Sequence, residues 1–320
     1  MIALHFLLIA VGFVLLTKGA DFLVNGSTSI AKRFKMSDMA IGLTIVAMGT
    51  SLPEMVVSVL AGIKGQGDVA IGNIIGSNIV NILLVLGITG TIGGLAIQKN
   101  TIRIEIPLSI AFTVLLFLLA NGFQFSDTIG LSLSRLDGLL LLLGFLGFMA
   151  YVAKSMKSGH LPHAHEEVHP PFAKSLLLLT IGIVGLGGGG KLVVDHAVAL
   201  AQMANIPERI IGLTIVAIGT SLPELATSVV AAMQKKLDIA IGNVVGSNIF
   251  NIALVLGLSS ALKPIAYNPG FNSDLFVVLA ASMMLWFFSA FGFQKNMLER
   301  WEAIILLIAF AGYTGWLVFM

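Results

Sequence analysis

The chain has 320 residues, of which 57% are hydrophobic and only 11% charged, with a net charge of +2 and a mean hydropathy of +0.99. A soluble domain of this length carries roughly a quarter charged residues, so water is excluded as the solvent for most of its surface. With no cysteine, a disulfide framework, a thiolate metal site and a cysteine nucleophile are excluded as well.

Ten apolar runs follow in chain order, near 2–24, 38–62, 69–96, 104–121, 137–153, 175–204, 210–233, 239–262, 275–293 and 302–319. Each reaches the length, about 17–25 residues, that crosses a bilayer core of ~30 Å. The first run lacks a basic leader and a small-residue cleavage site, so it reads as a retained helix rather than a signal peptide. Lys18 and Asp21 lie three apart in it, and Lys191 and Asp195 four apart in the sixth run. Both spacings predict ion pairs on one helix face. Four glycines, Gly187 to Gly190, let the sixth run bend or pack closely.

The second and third runs recur as the seventh and eighth. Ile41 to Glu54 reads IGLTIVAMGTSLPE and Ile211 to Glu224 reads IGLTIVAIGTSLPE, differing only at Met48 against Ile218. Asp68 to Gly87 and Asp238 to Gly257 repeat at the same offset, since 211 − 41 and 238 − 68 are both 170. Five runs per repeat reverse the second copy in the membrane, the inverted-topology plan of many secondary transporters, whose ion sites lie near the midplane at the repeat interface. The predicted fold is therefore an all-α membrane protein of ten transmembrane helices in two inverted five-helix repeats. The first spans 1–157 (ion-binding segment 41–87), the second 174–320 (ion-binding segment 211–257), and 158–173 is a His- and Pro-containing linker.

Basic residues orient it. One side holds Lys64, Arg135, Arg209 and Lys263; the other holds Lys32, Arg33, Lys35, Lys99, Arg103, Lys154, Lys157, Lys174, Lys235, Lys236, Lys295 and Arg300. The richer side is cytoplasmic. Both termini then face outward across the plasma (inner) membrane, and the 154–174 loop lies in the cytoplasm. His160, His163, His165 and His169, with Glu166 and Glu167, are metal-ligand types, but a solvated linker accounts for them better, because such tracts are compositional evidence only.

Each repeat sets a glutamate, Glu54 or Glu224, in an apolar run, where an ionisable group marks a functional site. Pro53 and Pro223 lack an N–H and crowd the carbonyls of Gly49 and Gly219, which predicts a kink or unwinding there. Carbonyls of Thr50, Thr220, Ala47 and Ala217 are then on offer, with the hydroxyls of Ser51 and Ser221. Ser77 and Asn81 share a face at i, i+4, as do Ser247 and Asn251. All are oxygen donors, suited to hard cations such as Ca²⁺ and Na⁺. Asn73, Asn243, Asn78 and Asn248 are balanced between a role at the site and interhelical hydrogen bonding; Gly72, Gly76, Gly242 and Gly246 read as packing positions.

The paired GTSLPE and GNxxGSNxxN segments resemble the two alpha repeats of the cation/Ca²⁺ antiporter superfamily, and specifically its prokaryotic sodium/calcium exchangers. The resemblance extends through all ten spans. It implies a core of the second, third, seventh and eighth helices around the ions, with the first and sixth sliding across it to alternate access. By motif position it implies Ca²⁺ held by the side chains of Glu54 and Glu224 and the carbonyls of Thr50 and Thr220. Sodium sites would use these groups with Ala47, Ser51, Ser77, Asn81, Ala217, Ser221, Ser247 and Asn251. Some members carry aspartate at the position of Asn251, a feature associated with potassium dependence, so the amide here leans against potassium coupling. The short linker has no room for the large regulatory calcium-binding domains of animal relatives.

The expectation is thus a secondary-active calcium/sodium antiporter, not an enzyme, with no cofactor beyond the transported ions and no nucleic-acid or obligatory protein partner. Its rivals are a proton-coupled or potassium-dependent antiporter of the same superfamily and a cation channel. An intramembrane hydrolase would draw on His196, beside Asp195 near the end of the sixth run.

Overall fold

The computed structural model describes residues 2–34, 36–122, 131–158, 171–204 and 217–319. Lys35, Arg209, His160, His163, His165, His169, Glu166, Glu167 and the 211–216 part of the second repeat lie outside them, as does most of the linker.

Helices account for nearly all the ordered structure. They are α1 (Ile2–Arg33), α2 (Asp38–Thr50), α3 (Leu52–Lys64), α4 (Gly67–Gly93), α5 (Thr101–Ala120) and α6 (Arg135–Ser158). After the linker come α7 (Phe172–Met203), α8 (Ala217–Thr220), α9 (Leu222–Met233), α10 (Leu237–Leu262), α11 (Phe271–Phe291) and α12 (Arg300–Phe319). Among the described residues, seven helices are long and apolar enough to cross a membrane, or eight if the bent pair α2 and α3 forms one span. This is an all-α multi-pass membrane fold. Among the described residues the strands are two short antiparallel ladders, β1 (Leu95–Ala96) on β4 (Met297–Leu298) and β2 (Ser132–Leu133) on β3 (Ile265–Ala266), each tying one half of the chain to the other.

Burial separates the helices by role. The most apolar window of α10 is 94% buried and that of α4 72%, against 17% for α1. A helix apolar all round and covered on every side belongs at the centre. The main core accordingly gathers Ile71, Ile74, Ile79 and Leu83 of α4 with Ile241, Val244, Ile249 and Phe250 of α10. Phe6, Leu7 and Val14 of α1 and Leu177 and Val184 of α7 remain exposed, which places these two helices against lipid.

The central helices cross closely because glycine removes the side chain at the crossing. A methyl on Gly42 would meet the Ile239 carbonyl oxygen at 2.8 Å and Gly242 Cα at 3.0 Å, and Gly246 abuts Leu43 in the same way. The packing role of Gly242 and Gly246 is thereby explained, whereas a methyl on Gly76 would meet nothing within 4 Å.

The four-glycine run of α7 divides in two. The helix runs unbroken from Phe172 to Met203. Gly189 packs on α1, where a methyl would approach the Gly12 carbonyl oxygen to 2.8 Å, while Gly187 and Gly188 face open space. Gly189→Ala should therefore separate α1 from α7 and destabilise by about 1–3 kcal/mol, as overpacking does. Gly187→Ala should be neutral or stabilise by up to about 1 kcal/mol through helix propensity. Thermal unfolding of the two purified variants checks the contrast, and equal behaviour would contradict the seam.

Of the two ion pairs expected from spacing, one forms. Lys191 Nζ meets Asp195 Oδ2 at 2.8 Å. Asp21 accepts instead from Gln234 Nε2, in the turn after α9, at 3.1 Å. A neighbouring helix offers Asp21 a donor already held in place, whereas Lys18 keeps its chain free to reach toward water.

Candidate functional site

Both GTSLPE segments break at the serine. Ser51 has φ −82° and ψ 7°, and Ser221 has φ −90° and ψ 7°, so each leaves the helix for one residue. The proline then sits in the first turn of the next helix, where its missing N–H matches donors that have no intrahelical partner anyway. The axis bends by 52° between α2 and α3. The expected kink is present, and its breaking point falls at Ser51 rather than Gly49. Glu54 and Glu224 thereby enter the first turn of α3 and α9, where the positive end of the helix dipole favours a carboxylate.

A second irregularity repeats as well. α4 widens to π-helical geometry over Val80–Val85 and α10 over Phe250–Leu256. These turns carry Asn81 and Asn251. Isolated π turns inside α-helices are frequent at functional sites, because the extra residue redirects side chains. α9, bearing Glu224, packs on the turn of Asn81, and α3, bearing Glu54, packs on the turn of Asn251.

The four helices thus bring the expected residues together in one interior cluster. Glu54, Glu224, Thr50, Asn81, Ser247 and Asn251 are wholly inaccessible to solvent, and Ser51, Ser77 and Ser221 nearly so. Ser51 Oγ donates across the repeat interface to Glu224 Oε1 at 2.9 Å, and Ser247 Oγ donates to the same oxygen at 3.3 Å. Ser77 Oγ lies 3.4 Å from Thr220 Oγ1, again across the interface. The Ala47 carbonyl accepts from the Ser51 N–H at 3.0 Å. The single Thr50 hydroxyl proton serves either that carbonyl at 3.2 Å or Asn243 Oδ1 at 3.0 Å. Ala217 lies in α8, the counterpart of the turn that carries Ala47.

The oxygens without partners are the most telling. Among the described residues, both carboxylate oxygens of Glu54, Oε2 of Glu224, Oδ1 of Asn81 and of Asn251, and the hydroxyl of Ser221 are buried with no hydrogen-bond partner. One unsatisfied buried acceptor costs about 1–3 kcal/mol, and more when charged. These acceptors come from both repeats, on helices that pack against one another, and oxygen donors of this kind are those hard cations take. No group of three or more His, Cys, Asp or Glu occurs among the described residues. The cluster therefore offers two negative charges and otherwise neutral oxygens.

The asparagines left undecided by sequence acquire distinct contacts. Asn81 Nδ2 donates to Asn248 Oδ1 at 3.1 Å, and Asn251 Nδ2 donates to Asn78 Oδ1 at 3.0 Å. These reciprocal bonds occupy each amide's N–H side and leave its own oxygen without a partner. Asn73 and Asn243 brace the glutamate helices instead. Asn73 Nδ2 reaches Ser58 Oγ at 2.9 Å and the Glu54 carbonyl at 3.4 Å; Asn243 Nδ2 reaches Ser228 Oγ at 3.0 Å and the Glu224 carbonyl at 3.3 Å. Sequence reading missed Ser58 and Ser228. Their equal placement four residues beyond each glutamate was the available signal.

The two halves differ in access. A cavity of about 410 Å³ is lined by Asp68, Asn73, Gly76, Thr220, Asp274 and Tyr313 among others. It reaches Thr220 but not Thr50, which is fully covered. His196 bonds His5, at 2.9 Å between Nδ1 atoms, so the hydrolase reading loses its one candidate base to another histidine.

The paired breaks, the paired π turns and the shared acidic cluster define a membrane protein with two carboxylates and a set of neutral oxygens buried between its repeats. The sequence model of the family described as sodium/calcium exchanger protein matches residues 4–154 and 174–319, and the chain belongs to this family. It is 40% identical to the putative antiporter CaxA of Alkalimonas amylolytica over 314 residues, covering 95% of this chain and 96% of that protein. It is 31% identical to the sodium/calcium exchanger MaX1 of Methanosarcina acetivorans, covering 98% of each. Its structure is similar to that of the sodium-calcium exchanger NCX_Mj, with a TM-score of 0.81, 32% identity and coverage of 98% of this chain and 99% of that one.

Proposed function

We propose that the chain is a secondary-active calcium/sodium antiporter, moving Ca²⁺ against Na⁺ by alternating access, with Ca²⁺ and Na⁺ as its transported substrates. The observation that carries this is the set of unpartnered oxygens around Glu54 and Glu224. Ca²⁺ is held by the two carboxylates and the carbonyls of Thr50 and Thr220. Sodium ions share the same carboxylates and recruit Ala47, Ser51, Ser77, Asn81, Ala217, Ser221, Ser247 and Asn251. Since both cations require the same negative charges, neither binds while the other is in place, and that exclusion turns two binding equilibria into exchange. Titrating Ca²⁺ into the purified protein at increasing Na⁺ tests it: sodium should weaken calcium binding steeply, and indifference to sodium would reject a shared site.

The ten-span inverted repeat is part of this reading. α2 with α3 supplies one span and α8 with α9 its counterpart; α12 completes ten. The repeats divide at the linker, as 1–157, 158–173 and 174–320. In this topology both termini face outward and the linker is cytoplasmic, in the plasma (inner) membrane. Asp68 and Asp274 of the cavity lining begin α4 and α11, just after the loops of Lys64 and Lys263, so in this topology the cavity belongs to the outer side, and its reach to Thr220 supports an outward-open arrangement. The lipid-facing pair α1 and α7 is suited to slide across the buried core.

Cysteines introduced singly at Met1 and at Ser158 should react with an impermeant thiol reagent from opposite faces, Ser158 from the cytoplasm. The cysteine-free chain gives a clean background. Labelling of both from outside would contradict the five-span repeat.

A further inference from the structure

The contact between α1 and α7 repeats every seven residues. Gly12 meets Gly189, Gly19 meets Gly182, and Gly26 meets Ser175, each close enough that a methyl on the α1 glycine would lie 2.9–3.0 Å from the facing carbonyl oxygen. One further heptad toward the start of α1 and the end of α7 gives His5 and His196. The same antiparallel register that sets backbone on backbone for three heptads therefore finishes in two imidazoles, at the end of the seam away from the linker. Their Nδ1 atoms lie 2.9 Å apart and their ring centroids 5.1 Å apart. Nothing in cation exchange uses this pair, since the exchange site is built of oxygen.

From this geometry we infer a second metal site, for a borderline transition-metal ion such as Zn²⁺, held by His5 Nδ1 and His196 Nδ1 between α1 and α7. Zinc binds imidazole nitrogen at about 2.0–2.1 Å, so two ligands of a tetrahedral ion stand about 3.3 Å apart. The observed pair needs to open by only a few tenths of an ångström. In the metal-free pair one Nδ1 carries the proton and the other accepts it. Binding requires both Nδ1 atoms unprotonated, so the donor imidazole moves its proton to Nε2 and stays neutral. Water completes the coordination. Asp195, next in sequence to His196, is held by Lys191 at 2.8 Å and is left out of the ligand set. Nitrogen ligands separate this site from the exchange site, which selects hard cations. A bound ion closes the open end of the glycine seam and fixes α1 to α7 as one body.

The test uses the full chain with His160, His163, His165 and His169 replaced by Gln, which leaves His5 and His196 as the only two of its six histidines. Zn²⁺ is titrated calorimetrically at saturating Ca²⁺, so that the oxygen site is filled. The expected result is one Zn²⁺ per chain, a Zn²⁺-dependent rise in unfolding temperature, and loss of both in His5→Asn and in His196→Asn. Cu²⁺ bound in place of Zn²⁺ should show two nitrogen ligands by electron paramagnetic resonance, and one or none in either single variant. Absence of binding with both histidines intact would overturn the inference. So would binding that survives either substitution, or that Ca²⁺ displaces.

Discussion

Glu54→Gln and Glu224→Gln should each abolish calcium exchange while the protein stays folded and inserted. A unit charge and a divalent ion about 2.4 Å apart interact by about 14 kcal/mol at an effective dielectric constant of 20. Desolvation offsets much of this, yet a third of it weakens Ca²⁺ binding by more than about a thousandfold. The two variants should differ in their side effects. Glu54 has both carboxylate oxygens free of partners, so its amide removes charge and sets an N–H donor toward the cation without breaking a bond. Glu224 Oε1 holds Ser51 and Ser247, so its amide also has to keep that oxygen in place to preserve the cross-repeat contact. Calcium binding and vesicle uptake measured on both variants check this, and near wild-type flux in either one would remove the carboxylate from the site.

Asn251→Asp should change ion coupling in a pH-dependent way. With two glutamates and no third acid, one Ca²⁺ leaves the site neutral and three Na⁺ leave it at +1. Exchange of three for one is then electrogenic, and voltage acts on the excess charge by ~2.3 kcal/mol per 100 mV for a full crossing. Asn251 Nδ2 donates to Asn78 Oδ1 at 3.0 Å. A protonated aspartate makes the same donation with its O–H and remains silent. An ionised aspartate loses the donor, sets two acceptors face to face unless Asn78 turns its amide, and recruits a further cation. The reversal potential of the variant should therefore depart from wild type at alkaline pH and return toward it as pH falls. A departure that does not depend on pH would contradict the protonation account. A wild type carrying no net current under any gradient would reject three-for-one coupling in favour of two-for-one or proton-coupled exchange.

The site was more legible in the sequence than the scaffold around it. The 170-residue repeat predicted that the two glutamate segments meet at the repeat interface, as the Ser51–Glu224 contact shows, and the donor types pointed to a hard cation. Other features depend on contacts between segments far apart in the chain, which a single sequence does not encode locally. The break falls at Ser51 because the proline begins the next helix rather than ending the previous one. The amides of Asn81 and Asn251 are oriented by Asn248 and Asn78 from the opposite repeat, and no local spacing reveals that exchange. Lys18 and Asp21 had permissible spacing, but Gln234 from the turn after α9 won. The heptad of small residues was present in both helices and passed unnoticed, because its meaning lies in the antiparallel register that aligns Gly12 with Gly189 and His5 with His196.

The central claim is that sodium entry and calcium movement are obligatorily opposed through one site. The direct measurement is calcium uptake into reconstituted vesicles under imposed sodium, potassium or proton gradients, with membrane voltage clamped by ionophore. Uptake should require an outwardly directed sodium gradient, reverse when that gradient is reversed, and ignore potassium and pH gradients of equal size. Uptake that persists without any counter-ion would indicate a channel, and uptake driven by the proton gradient in the absence of sodium would assign the coupling to protons.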